Sequence, residues 1–144
     1  MEINIRKSRI DDLDELIILQ ENNETILSPK ILDDTILDVE KIFLVAHNYK
    51  LLVGYIACDI GVDTADITAV LVDKCYRNLK VATILMNHLI FYLKKMSITE
   101  VFLEVKSSNT NAINFYTKHG FKYVSKRANY YKDDDAFVYK KILK

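Results

Sequence analysis

Within Val101 to Phe121, VFLEVKSSNTNAINFYTKHGF, three side chains could do chemistry: Glu104, Asn109 and Tyr116. A carboxylate accepts protons, a phenol can donate one, and an amide both donates and accepts hydrogen bonds. Glu104 interrupts Val101, Phe102, Leu103 and Val105, an apolar run that suits a strand buried on both faces. Because Glu is rarely buried, its plain structural reading is a strand-end carboxylate that faces water or pairs with a nearby Lys. Asn109 and Tyr116 stand seven residues apart and so share nearly one helical stripe, about 10 Å apart along the axis. The stripe aligns amide and phenol with the strand that carries Glu104. Taken alone, Tyr116 reads as an amphipathic core residue with a wet hydroxyl.

The elements that must hold these groups follow from the flanking residues. Ser107, Ser108 and Asn109 offer N-cap oxygens, Ala112, Phe115, Tyr116 and His119 mark one helical face, and Gly120 supplies the left-handed stop. Earlier in the chain, Ile3 and Ile5 alternate with polar residues as a half-buried strand. A helix then presents Leu13, Leu16, Ile17 and Gln20, with Ser8 and Asp11 as candidate caps. Pro29 suits the first turn of a second helix, and Ile31, Leu32, Thr35, Ile36 and Val39 continue at helical spacing. Ile42 to His47, Leu51 to Ile60 and Asp66 to Val72 read as a three-strand meander. The stretch DKCYRNLKVATILMNHLIFYLKKM follows, with Ala82, Leu85, Met86, Leu89, Leu93 and Met96 marking a long amphipathic helix. Its first backbone N–H groups, exposed directly after a buried strand, can hold a phosphate. The element order predicts an α+β fold: a mixed, mostly antiparallel sheet of about seven strands with about four helices on its two faces.

A chain of 144 residues suits one domain spanning 1–144, and no linker, repeat or low-complexity run divides it. Lys+Arg and Asp+Glu balance at 20 each, which argues against the phosphate backbone of nucleic acid as main partner. The start, MEINIRKSRIDDLDE, carries no apolar run, so neither a signal peptide nor a membrane span is expected. Cys58 and Cys75 form no disulfide framework, and His47, His88 and His119 lack ligand spacing, so a reducing cytoplasm and no metal are expected.

The pattern LEV, a few polar residues, SN, AI, FY, a basic helix end and GF resembles the acetyl-CoA-binding half of the GNAT acyltransferases. The stretch KRANYYKDDDAFVYKKIL is similar to the protein N-terminal α-amino acetyltransferases, of both the bacterial ribosomal-protein alanine type and the archaeal and eukaryotic type. The similarity is clear from about Val70 to the C-terminus and colinear before it. It implies acetyl-CoA as cosubstrate, with the pantetheine arm along Val70, Leu71 and Val72 at a strand splay. The pyrophosphate would lie on Arg77, Asn78, Leu79, Lys80, Val81, Ala82 and Thr83, and Asn109, Ala112 and Tyr116 would line the arm. Lys80 stands where the family pattern has its first glycine. A lysine there either narrows the cradle or adds an ammonium charge to the same phosphates; retention of the rest of the motif favours the added charge.

By the same resemblance Glu104, directly or through a water, takes the amine proton, and Tyr116 donates to the departing sulfur. Asp66 lies where some relatives place a catalytic Tyr, so that alternative route is expected to be absent. An α-amino group with a pKa near 8 is roughly one-tenth neutral at pH 7, so its base can be modest. Leu27, Ser28 and Pro29 would form one wall of the substrate slot, although the usual Phe-Pro pair is missing. Asn129, Tyr130 and Tyr131 would meet the first residues of a peptide, unless the tyrosines are a simple strand-end pair. Asp133, Asp134 and Asp135 read as a solvated turn, with attraction of a basic N-terminal segment as the functional alternative. The resemblance leaves open a GNAT enzyme for a small amine or a lysine side chain, and a CoA-binding regulatory homologue without turnover. Association with the ribosome or with a larger acetyltransferase complex is compatible with any of these.

Overall fold

The computed structural model describes residues 1–131 and 134–144, with Asn129 and Tyr131 described only in their backbone. The strands are β1 (Ile3–Lys7), β2 (Lys41–Asn48), β3 (Leu51–Ile60), β4 (Thr64–Val72), β5 (Glu100–Lys106), β6 (Lys122–Tyr131) and β7 (Asp134–Ile142). The helices are α1 (Leu13–Glu21), α2 (Pro29–Leu37), α3 (Val81–Lys95) and α4 (Thr110–Lys118). One seven-stranded sheet runs in the order β1-β2-β3-β4-β5-β7-β6. Only β4 and β5 pair in parallel; every other neighbour is antiparallel. This is the mixed α+β architecture that the element order predicts.

Each face of the sheet carries its own apolar layer. Leu85, Met86, Leu89 and Leu93 of α3 bury against Ile56, Val101, Leu103 and Val105, and Ile113, Phe115 and Tyr116 of α4 pack beside them. Leu16 and Leu19 of α1 and Leu32 of α2 bury against Phe43, Tyr55, Ala69 and Leu71 on the other face. Full burial of such side chains is favourable by about 1.5–3 kcal/mol each, which is why two short helices suffice to cover that side.

Several expectations need correction. Strand β5 is not buried on both faces: Val101, Leu103 and Val105 are buried, whereas Glu104 and Lys106 are exposed and Phe102 is half-buried. Antiparallel pairing with β7 on one side leaves a face without a helix over it, and the side chains alternate accordingly. Val39 and Met96 are exposed because each lies beyond the end of its helix. Ser8 and Asp11 do not cap α1; a 3-10 turn, Ile10–Asp12, precedes that helix, and the Asp12 carboxylate accepts from the Arg9 N–H at 2.7 Å.

Asp12 is 3 % exposed and holds the chain's entry to α1 against β1. Arg6 grips it with two bonds, Nη1 to Oδ2 at 2.8 Å and Nη2 to Oδ1 at 2.7 Å. Burial pushes the carboxyl pKa up, but the Arg6 bonds, the Arg9 amide and the Arg6 charge outweigh it, and the net direction is downward. A carboxylate depressed in the folded state contributes stability above its unfolded pKa, near 3.9, and loses it as pH falls through the folded value. Asp12→Asn is therefore expected to cost about 2 kcal/mol at pH 7. The difference from the parent should close below about pH 4, as read by urea unfolding at several pH values.

Candidate active site

The site begins with one extra residue in β4. Ala57 pairs with Ala69 and Cys58 with Ile67, so Thr68 has no partner on β3; its hydroxyl donates to the Ala57 carbonyl at 3.3 Å. Such a bulge bends its strand and reverses which face the following side chains meet. Ala65 and Ile67 accordingly join the α3 layer, and Ala69 and Leu71 join the α1–α2 layer. Pairing between β4 and β5 ends at Ile67 with Leu103. Beyond that pair the two strands diverge, and among the described strands Ala69 to Val72 pairs with β3 alone.

The antiparallel ladder decides which backbone groups face this wedge. Asp73 donates its N–H to the Val53 carbonyl at 2.8 Å, and alternation makes Leu71 with Tyr55 the next bonded pair. Val70 and Val72 must then turn their N–H and C=O groups toward the wedge. Leu71 turns its backbone to β3 and its side chain into the α1–α2 layer, so it supports the wedge without offering it a group.

The loop at the wide end bends through Asp73, which accepts from Cys75 N–H at 2.8 Å, and a 3-10 turn, Lys74–Tyr76. Asn78 and Lys80 both adopt left-handed backbone, φ 65° and 66°. Lys80 thus takes the conformation a glycine would take, and it is the N-cap of α3. The N–H groups of Val81, Ala82 and Thr83 follow at the open end of that helix. Arg77 donates through Nε to the Val72 carbonyl at 3.3 Å, and the Thr83 hydroxyl lies 3.4 Å from His119 Nε2. Free amides, a helix N-terminus, Arg77 and an exposed lysine form a set of donors that fits an anion of the phosphate class.

Glu104 opens onto a cavity of about 550 Å³ on the α1–α2 side of the sheet, which it lines with Asp59, Asp66, Thr68, Phe102 and Tyr130. Its Oε1 accepts from Arg127 Nη1 at 2.6 Å, and the Arg127 guanidinium lies 4.0 Å from the Tyr130 ring centroid. Partial burial, then the Asp59 and Glu104 carboxylates, push the Asp66 pKa up. Tyr116 does not line this cavity. It packs on the opposite, α3–α4 side, edge to face with Phe115 and Phe121, and burial pushes its pKa up to about 12. The two groups lie on opposite faces of the sheet.

Asn109 is the N-cap of α4, as its type predicts, and its Oδ1 accepts from Ala112 N–H at 3.2 Å. Only its Nδ2 donors remain for a ligand carbonyl. Leu27 and Pro29 are not among the described residues that line the cavity. Leu27 packs into the α1–α2 layer, clamped by Gln20, whose Nε2 donates to the Leu27 carbonyl at 2.6 Å. Gln20 Oε1 accepts from Leu27 N–H at 3.1 Å and from Tyr55 Oη at 2.7 Å. Pro29 is exposed in the first turn of α2, with Ser28 as its N-cap. The side chain of Tyr131 and the whole of Asp133 lie outside the described residues. Asp134 is no solvated turn residue: it takes hydrogen bonds from both Ser107 and Ser108 hydroxyls and ties β7 to the turn before α4. Asp135 lies 3.9 Å from Lys126.

Asp59 and Phe102 line the candidate cavity and Arg127 contacts Glu104 and Tyr130 beside it, and the sequence marks none of the three as a site residue. The nearest signal for Arg127 is its position just before the paired tyrosines, but its partner is fixed only by strand register. Among the described residues no group of three or more His, Cys, Asp or Glu could hold a metal ion. No helix among them is long and apolar enough to cross a membrane.

The Acetyltransferase (GNAT) family pattern matches residues 10–121. An N-alpha-acetyltransferase of Sulfurisphaera tokodaii is 31% identical over 156 aligned residues, covering 95% of this chain and 91% of the relative. The [ribosomal protein bS18]-alanine N-acetyltransferase of Escherichia coli is 31% identical over 94 residues, 65% of this chain and 63% of that protein. Its crystal structure superposes with a TM-score of 0.90 at 23% identity, covering 98% of this chain and 94% of that one. The PaiA N-acetyltransferase of Thermoplasma acidophilum, solved in complex with coenzyme A, superposes at 0.84 with 25% identity, covering 99% and 100%. The chain belongs to the GNAT acetyltransferase family, and it is an N-acetyltransferase.

Proposed function

We propose that the protein transfers an acetyl group from acetyl-CoA to the α-amino group of protein N-terminal peptides, in the cytoplasm. The observation that carries this reading is the wedge between β4 and β5, with the Glu104 carboxylate on the cavity beside it. A relative that is an N-alpha-acetyltransferase over nearly the whole chain supports the choice of acceptor.

In this reading Val70 and Val72 bind the pantetheine arm by their backbone, and the residues from Arg77 to Thr83 bind the pyrophosphate. Asn109 Nδ2 and the α4 face at Ala112 line the arm. The cosubstrate supplies an activated acyl thioester. Glu104 accepts the proton that the ammonium must lose, at a carboxylate oxygen. Tyr116, protonated throughout the physiological range, holds a proton for the leaving thiolate. Phe102 and Tyr130 give the amine an apolar and aromatic approach. Asp66 and Asp59 make the cavity anionic, which draws a protonated N-terminus toward it.

Incubation with acetyl-CoA and a panel of N-terminal peptides should release CoA thiol and add 42 Da to peptide α-amines, a shift of about one acetyl group. A folded protein that releases no thiol above background would sink the reading. Lys80→Gly tests the phosphate contact separately. Removing the left-handed penalty of about 1–2 kcal/mol, offset by roughly 0.5–1 kcal/mol of glycine entropy, should raise the melting temperature by about 2 °C. Loss of the ammonium should at the same time weaken CoA binding several-fold in calorimetry; tighter binding would show that Lys80 narrows the cradle.

A further inference from the structure

Arg127 has no part in the reading above, yet its geometry ties two of the residues that do. It stands on β6, the edge strand, with β7 between it and β5. Its side chain is 51% exposed but reaches across β7 to Glu104. The strand around it departs from regular pairing: Arg127 opposes Ala136, and the next opposed pair is Tyr131 with Asp134. Residues 128, 129 and 130 therefore stand against Asp135 alone, an irregular bulge that lets the Tyr130 ring meet the Arg127 guanidinium. Carboxylate and ring both line the same cavity.

An exposed ion pair contributes little to folding, so stability does not account for this arrangement. A glutamate on an open strand face rotates freely, whereas a short, charge-assisted bond from a planar guanidinium restricts the plane of its carboxylate. The flat face of the same cation restricts an aromatic ring. We propose that Arg127 is a positioning residue for the proposed acetyl transfer: it orients the Glu104 carboxylate toward the amine and fixes Tyr130 at the cavity wall for the peptide. The inference rests on the functional reading and adds a mutual dependence of proton acceptor and peptide contact.

Steady-state kinetics with a reactive N-terminal peptide test it. Arg127→Gln should lower kcat about tenfold and raise the peptide KM several-fold, with the acetyl-CoA KM and the melting temperature unchanged. Arg127→Lys should recover part of kcat through the ion pair but not the peptide KM, since an ammonium cannot stack as a plane. In a Glu104→Gln background, Arg127→Gln should cost no further kcat. Lys126→Gln, the neighbouring charge, should leave all constants as they are. An active parent whose Arg127→Gln variant keeps both kcat and peptide KM overturns the inference, as does activity lost only in step with melting temperature. A parent inactive on every peptide overturns the functional reading, and the positioning role with it.

Discussion

Glu104→Gln is expected to lower kcat for an N-terminal peptide by about 10²- to 10³-fold, with the fold intact. The expectation follows from where the carboxylate sits. It lines the one side of the wedge that opens to a large cavity, and its neighbours there are Phe102, Tyr130 and two further carboxylates. Glutamine keeps the shape and can still accept the Arg127 bond through its carbonyl oxygen, so the loss reports proton acceptance rather than packing. Binding of acetyl-CoA, measured by calorimetry, should not change. The residual rate should rise with pH as more peptide amine becomes neutral, because the amine then needs no acceptor; near pH 8 about half is neutral. A variant with full kcat at pH 7 would move the role to Asp66, one of the two other carboxylates of the cavity, whose pKa is pushed up by its surroundings.

Tyr116→Phe should lower kcat by about 10- to 100-fold with little change in either KM. The ring itself is held between Phe115 and Phe121, at 5.5 Å and 5.8 Å between centroids. Phenylalanine preserves that packing, so the melting temperature should hold. Burial keeps the phenol protonated up to about pH 12, and the alkaline arm of the pH profile below that value should therefore owe nothing to its deprotonation. Acetyl donors whose thiol is a better leaving group should restore most of the lost rate, since they need less protonation. Failure of such donors to restore it would mark Tyr116 as a packing residue, which its place in the α3–α4 layer would suffice to explain.

Local chemistry made much of the fold legible. Gly120 takes φ 88° after α4, Pro29 opens α2 behind Ser28, and Asn109 caps α4, each where residue type requires. The meander and the long α3 also follow from periodicity, because alternate and 3.6-residue patterns record which side meets the core. The site was legible only as residue types. That Glu104 and Tyr130 share a cavity while Tyr116 stands behind the sheet depends on how β5, β7 and β6 register. That Arg127 reaches Glu104 depends on the register of β6 against β7, which shifts between Tyr123 and Ser125.

By itself the sequence determined the order of elements, the opening of α2 at Pro29, the cap and stop of α4, and a carboxylate, an amide and a phenol in one strand–turn–helix unit. Those are local properties, set by neighbours a few residues away. Tertiary structure decided that Thr68 is left over between β3 and β4, that β4 and β5 part beyond Ile67 and Leu103, and that the two proposed proton-handling groups lie on opposite faces of the sheet. The physical reason is that a strand's side-chain period is two, so one unpaired residue exchanges the faces of everything after it, and pairing between distant strands alone fixes where that residue falls.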